Sequence, residues 1–164
     1  MVGQDNNNFH SATFGQLDFD QVVGKIVEYV ESKADYPYRL IVGTDSQLKN
    51  GTGADFVTAI IIHRVGVGAI YFWRRKSVVQ KYVLRQRIYD EALMSLSAAD
   101  NLVTAFGREN GLMKHLEIHV DVGQQGPTRE IIAEVVGMVR GNGFNVKIKP
   151  DAYGAAKVAD RHTS

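Results

Sequence analysis

The order in which this sequence changes its hydrophobic period constrains the fold more than any single residue does. Residues 38–45, 56–64 and 69–76 are short runs rich in β-branched and aromatic side chains, separated by the turn formers Asn50-Gly51-Thr52-Gly53 and Gly66-Val67-Gly68. Between about residues 79 and 106 the apolar positions instead recur at helical spacing, with Leu84, Ile88, Ala92 and Leu96 on one side and Tyr89 and Leu93 beside them. Gly107 is placed to end that helix. Residues 116–121 then alternate as a fourth strand. Pro127 suits the first turn of a helix carrying Ile131, Ile132, Val135, Val136 and Val139. Residues 144–149 read as a fifth strand and residues 151–161 as a closing helix. Ahead of all these, Val22, Val23, Ile26, Val27 and Val30 mark a first helix, with Asp18 or Asp20 as its cap and Pro37 beyond its end.

A three-strand meander, a helical crossover and two further strand–helix units predict an α/β fold, with a mixed five-stranded sheet and helices on both faces. Right-handed crossovers give the strand order 3-2-1-4-5, with strand 2 antiparallel. Residues 1–17, rich in Asn, Gln and Gly, are expected to form a flexible N-terminal arm, and residues 18–164 a single domain.

Composition narrows the functional classes. Nineteen Lys and Arg against 18 Asp and Glu leave a net charge of +1, so no global basic field advertises a polyanion, and any nucleic-acid affinity must come from a local patch. The absence of cysteine excludes a disulfide scaffold and thiolate-bound zinc, and it fits a reducing compartment. No apolar run approaches the ~20 residues that span a bilayer, and the polar start lacks the basic-then-apolar order of a signal peptide. A cytoplasmic protein with no membrane partner is the expectation.

Four carboxylates stand out against this frame. Asp45 closes the first strand run and Asp121 the fourth, and the expected topology brings those two tips together at the point where the connections diverge. Singly, Asp45 reads equally as an Asx turn and Asp121 as a solvated residue at a strand mouth. Glu91 shares a helical row with Leu84, Ile88 and Ser95 at the edge of the apolar arc, where a charge needs a partner; Arg87, four residues earlier, is one ordinary choice. Asp160, near the end of the last helix, opposes the helix dipole unless a cation compensates. Taken together, carboxylates at neighbouring strand ends repel one another in a way that a bound cation relieves. Hard oxygen donors suit Mg²⁺ or Mn²⁺. Zinc is disfavoured, because His115 and His119 alternate along a strand instead of following helical HxxxH spacing.

Trp73-Arg74-Arg75-Lys76 is the densest basic stretch, with an aromatic able to stack on a base; the alternative is a solvated edge strand whose charges resist aggregation. Lys147 and Lys149 on the fifth strand carry the same two readings. Gly123-Gln124-Gln125-Gly126 ahead of a helix could cradle a phosphate or simply turn the chain.

At Gly43-Thr44-Asp45-Ser46, His119-Val120-Asp121 and Ala159-Asp160, with Glu91 on the intervening helix, the chain resembles the ribonuclease H-like superfamily. Residues 41–47, 119–123 and 149–160 are similar to the bacterial YkuK-like family, whose function is not established. The similarity covers roughly residues 18 to 164. It implies a ribonuclease H-like fold and two-metal hydrolysis of a phosphodiester by Mg²⁺ or Mn²⁺. In that arrangement Asp45 bridges two ions, Glu91 and Asp121 complete their shells, and Asp160 holds the ion nearer the attacking water. Asp151 is the rival fourth ligand, or else a helix N-cap. His162 is the nearest histidine for assisting product release. With Ser46, Trp73, Arg74, Arg75 and Lys149 it makes up the expected contacts to RNA or another structured nucleic acid. The contrasting expectation is a catalytically silent module of the same fold that docks nucleic acid or protein.

Overall fold

The sheet in the computed structural model, which describes residues 8–122, 129–149 and 151–152, is built from strands in the order β2-β1-β5-β4-β3-β6-β7. In chain order the elements are β1 (Phe9–Ser11), β2 (Gly15–Leu17), α1 (Phe19–Ser32), β3 (Tyr38–Leu48), β4 (Ala54–Arg64), β5 (Gly68–Val78), α2 (Leu84–Phe106), α3 (Gly111–Lys114), β6 (Glu117–Val120), α4 (Arg129–Gly141) and β7 (Asn145–Ile148). Strands β3, β4 and β5 form the antiparallel meander, whereas β6 runs parallel to β3 and β7 parallel to β6.

The five strands expected from the sequence keep their expected neighbours, but the sheet has seven strands among the described residues. Residues 9–17, expected within a flexible arm, form a hairpin that joins β5 through the pairing His10↔Trp73. The reason is two isolated apolar anchors: Phe9 and Leu17 pair across the hairpin and are only 1% and 6% exposed. Gly15, at φ +73°, supplies the left-handed backbone that closes so tight a turn.

Helix α1 starts where a capping box fixes it. The Asp18 carboxylate accepts from the Gln21 N–H at 2.8 Å, and the Gln21 side-chain oxygen accepts from the Asp18 N–H at 2.9 Å. Helix α2 starts at Leu84, later than its apolar period suggested, and has no side-chain cap. It ends at Gly107, where φ is +86° and the N–H returns to the Val103 carbonyl.

One face of the sheet carries the core. Leu40 and Val42 of β3, Ile60 and Ile62 of β4, Phe72 of β5, and Ile118 and Val120 of β6 alternate onto it. They pack there against Val22 and Ile26 of α1, Ile88, Ala92 and Leu96 of α2, and Val135 and Val139 of α4. Each such fully buried aliphatic side chain contributes roughly 1.5–3 kcal/mol. Arg64 fastens α1 to this face by donating to the Tyr29 carbonyl at 2.7 Å and to Ser32 Oγ at 2.9 Å. Helices were expected on both faces, yet α1, α2 and α4 all cover this one; beyond Ala152 the expected closing helix lies outside the described residues. On the opposite face Ile41 and Ile61 are buried beside Tyr71, in a row that also carries polar side chains. Among the described residues no helix is long and apolar enough to cross a membrane.

Candidate functional site

Parallel pairing of β3 with β6 runs through Ile41↔Glu117, Val42↔Ile118 and Gly43↔His119. Asp121 directly follows the end of β6, where the Val122 N–H turns back to the Val120 carbonyl at 2.9 Å, and Asp45 lies three residues inside the end of β3, paired with Val57; both carboxylates act on Glu91. One Asp45 carboxylate oxygen accepts from the Ser46 N–H at 3.0 Å, the local bond an Asx turn would make. Asp121 is held by Lys149, whose Nζ lies 2.9 Å from Oδ1. The chain positions that lysine just past β7, because the Lys149 N–H bonds to the Val122 carbonyl at 3.2 Å.

Helix α2 brings the third carboxylate. A chain of buried hydroxyls ties α2 across the sheet: Ser95 Oγ donates to Thr44 Oγ1 at 2.8 Å, and Thr44 Oγ1 lies 3.0 Å from Thr58 Oγ1. One turn earlier on α2, and two residues further along β3, Ser46 Oγ donates to Glu91 Oε1 at 2.5 Å. Glu91 is only 7% exposed. Its carboxyl is pushed up to about 8, first by burial and further by the negative charges of Asp45 and Asp121, with the Ser46 hydrogen bond opposing. Arg87, the alternative partner suggested by the sequence, pulls it down more weakly than Ser46 does.

Asp45 and Asp121 therefore both act electrostatically on Glu91. In these positions, however, no group of three or more His, Cys, Asp or Glu side chains among the described residues is arranged to hold a metal ion. Glu91 is turned to Ser46 and Asp121 to Lys149. The donor chemistry fits Mg²⁺ or Mn²⁺: the oxygens are hard, and Glu91 is a buried acid whose proton a nearby cation would displace. Asp160 and His162 lie outside the described residues, as does the Gly123–Gly126 loop. Asp151 is exposed in the turn after β7, its N–H bonded to the Ile148 carbonyl at 2.8 Å.

The expected substrate contacts are dispersed by the alternation of β5. Arg75 shares a cross-strand row, and hence a face, with Val57 and Asp45. Arg74 points to the helix-covered face, with its guanidinium 5.0 Å from the centre of the Phe9 ring. Trp73 stacks on His10 with ring centres 4.7 Å apart, so one of its faces is already covered. The basic stretch is therefore not a single patch, because consecutive strand residues point to opposite faces.

A polar cluster that sequence reasoning missed lies along the row behind Asp45. The Glu117 carboxylate, 8% exposed, accepts from Arg39 Nε at 2.8 Å and Nη2 at 3.0 Å. Burial pushes the Glu117 carboxyl up, but the Arg39 hydrogen bonds and charge together hold it below the usual carboxylate range. His119, next in the row and 4% exposed, is pushed down by burial, with the charge of Glu117 opposing. Opposite charges on alternating positions of two strands were the available signal. Pairing them required a register that neither strand encodes alone.

Comparison with known proteins places this geometry. The chain is 30% identical over 167 residues to the uncharacterized protein YkuK of Bacillus subtilis (strain 168), an overlap that spans 94% of this chain and 96% of that one. No solved structure matches it. The ribonuclease H-like family model matches residues 21–164, and the chain belongs to that family.

Proposed function

We propose that this protein is a divalent-metal-dependent phosphodiesterase acting on RNA or another structured nucleic acid by two-metal hydrolysis. Its site would be Asp45, Glu91 and Asp121, with Asp160 as the fourth carboxylate and Asp151 as the alternative. The supporting observation is the buried acid Glu91, whose proton is held by desolvation and by the charges of Asp45 and Asp121. When bound, two Mg²⁺ or Mn²⁺ ions supply Lewis-acid polarisation of the phosphoryl group and neutralise charge on the attacking and leaving oxygens. In this reading Glu91 gives up its proton, Lys149 swings from Asp121 toward the substrate phosphate, and Ser46 turns from Glu91 to a substrate oxygen. Arg75, on the Asp45 face, steadies the backbone of the bound strand.

A second reading has its own support. Asp121 is paired with Lys149 and Glu91 is neutral by its proton, so two of the three carboxylates are compensated without an ion, which is compatible with a catalytically silent binding module. Cleavage of labelled RNA, DNA and hybrid duplex in Mn²⁺ separates the two. The enzyme reading expects cleavage that is abolished by both Asp45→Asn and Asp121→Asn. Cleavage unchanged in those variants removes these residues from the reaction, and binding without turnover on every substrate favours the module.

A further inference from the structure

The opposite end of the sheet is chemically the reverse of the acidic tips. Where β3, β6 and β7 begin, a groove of about 740 Å³ is lined by residues that include Tyr38, Arg39, His115, Glu117, Arg140 and Lys147. It holds three permanent cations against one carboxylate, and that carboxylate, Glu117, is already engaged by Nε and Nη2 of Arg39. Arg140 and Lys147 are exposed and enter no ion pair among the described residues. A fourth cation stands at the rim: Arg108 Nη1 lies 3.2 Å from where a Cβ on Gly143, another lining residue, would sit. In a chain of net charge +1, so one-sided a concave surface focuses positive potential locally.

The groove's chemistry selects a backbone and not a base. Guanidinium and ammonium groups match phosphate oxygens. The two large rings are already engaged: the Tyr38 hydroxyl donates to the Lys33 carbonyl at 2.7 Å, its ring meets Tyr29, and Phe144 is 6% exposed, leaving the His115 imidazole as the exposed ring of the lining. Among the described residues β7 is an edge strand, so the groove's β7 side lies at the margin of the described sheet, where an extended ligand can enter from the side. Arg39 precedes Asp45 by six residues of β3, which separates groove and acidic tips by roughly 20 Å at about 3.3 Å per residue.

We propose that this groove binds the phosphate backbone of a nucleic-acid strand, a second holding point remote from the carboxylates. The proposal rests on the nucleic-acid reading above, but not on catalysis, because the groove shares no residue with the acidic site. Strand binding should therefore persist in EDTA.

Fluorescence anisotropy of a labelled single-stranded RNA, titrated in EDTA at several salt concentrations, tests it. Arg140→Glu/Lys147→Glu is expected to weaken binding at least about tenfold at low salt and to reduce the slope of log K against log salt by about 1.4, two lost phosphate contacts. Lys25→Glu on α1 with Lys81→Glu ahead of α2 makes the same change in net charge at residues that do not line the groove and is expected to bind within about twofold of the parent. Thermal melting of both variants verifies that they fold. Equal losses in the two double variants overturn the proposal, since net charge alone then explains the binding. Unchanged binding in Arg140→Glu/Lys147→Glu overturns it while leaving the metal-site reading intact. A parent that binds no strand in EDTA overturns the groove proposal and leaves the metal-site reading to the Mn²⁺ cleavage assay. Metal-dependent cleavage that survives Asp45→Asn defeats the catalytic reading alone, and the groove stands if the anisotropy loss is seen.

Discussion

Ser46 Oγ and Glu91 Oε1, 45 residues apart in the chain, meet at 2.5 Å where the end of β3 passes beneath α2. The contact holds a nearly buried acid at the strand edge shared by Asp45 and Asp121, and it makes the protonation of Glu91 the most informative property of the site.

The pH dependence of stability follows from that protonation. The Glu91 carboxyl is pushed up to about 8 in the folded chain, by burial first and by Asp45 and Asp121 besides. Between about 4.5 and 8 the unfolded chain has lost this proton while the folded chain retains it, so stability falls as pH rises across that window. Glu91→Gln removes the penalty and is expected to stabilise the protein by on the order of 2–4 kcal/mol at pH 8 without metal, and by little at pH 4. Urea denaturation at the two pH values checks this. A variant no more stable than the parent at pH 8 contradicts it.

The hydroxyl chain through Ser95, Thr44 and Thr58 sets the position of α2 over β3, and hence of Glu91 one turn away. Thr44→Val keeps the shape but leaves two buried hydroxyls without their shared partner, at a cost of about 1–3 kcal/mol. Chemical denaturation measures the loss. Thr44→Ser, which keeps the hydroxyl, is expected to lose less.

Removing Arg39 strands a buried carboxylate. Because the Arg39 side chain is 32% exposed, Arg39→Met should cost on the order of 2 kcal/mol, below the range for a fully buried pair. Glu117 titrates below its ordinary value in the folded chain, so its stabilisation is present above the unfolded value of about 4.5 and is lost as pH falls through the folded one. The Arg39→Met deficit should therefore shrink on acidification. A deficit that does not change with pH would place the cost in packing instead of charge.

Lys149 competes with any cation for Asp121. Its side chain is 56% exposed, so the pair itself should add less than about 1 kcal/mol to stability. Lys149→Met is accordingly expected to leave melting nearly unchanged and to tighten Mn²⁺ binding severalfold in calorimetry. Weaker binding would mean that the lysine does not oppose the ion.

The parallel pairing of the strands that carry Asp45 and precede Asp121 was legible in the sequence, because strand period and crossover handedness decide which strands adjoin. The inward turn of Glu91 was also legible, from its row with Leu84 and Ile88. Its partner was not, because Ser46 reaches it through a tertiary crossing that no local pattern encodes. The hairpin at residues 9–17 escaped because three-residue strands carry too few alternations to stand out, and only Phe9 and Leu17 anchor it. Contiguity misled the reading of Trp73, Arg74 and Arg75, since neighbours in a strand face opposite ways. The groove gathers Arg39, Arg140 and Lys147 from three elements, so the linear sequence shows no basic run there.

The measurement closest to the central claim is calorimetric titration of Mn²⁺ at pH 7 in buffers of different ionisation enthalpy, which counts the protons released on binding. With Glu91 protonated below about 8, saturable binding is predicted to release close to one proton. Glu91→Gln should still bind, more weakly, with that proton missing, and Asp45→Asn/Asp121→Asn should not bind. Absence of binding by the parent, or equal binding with no proton release in parent and Glu91→Gln, would contradict a cation site at these strand tips.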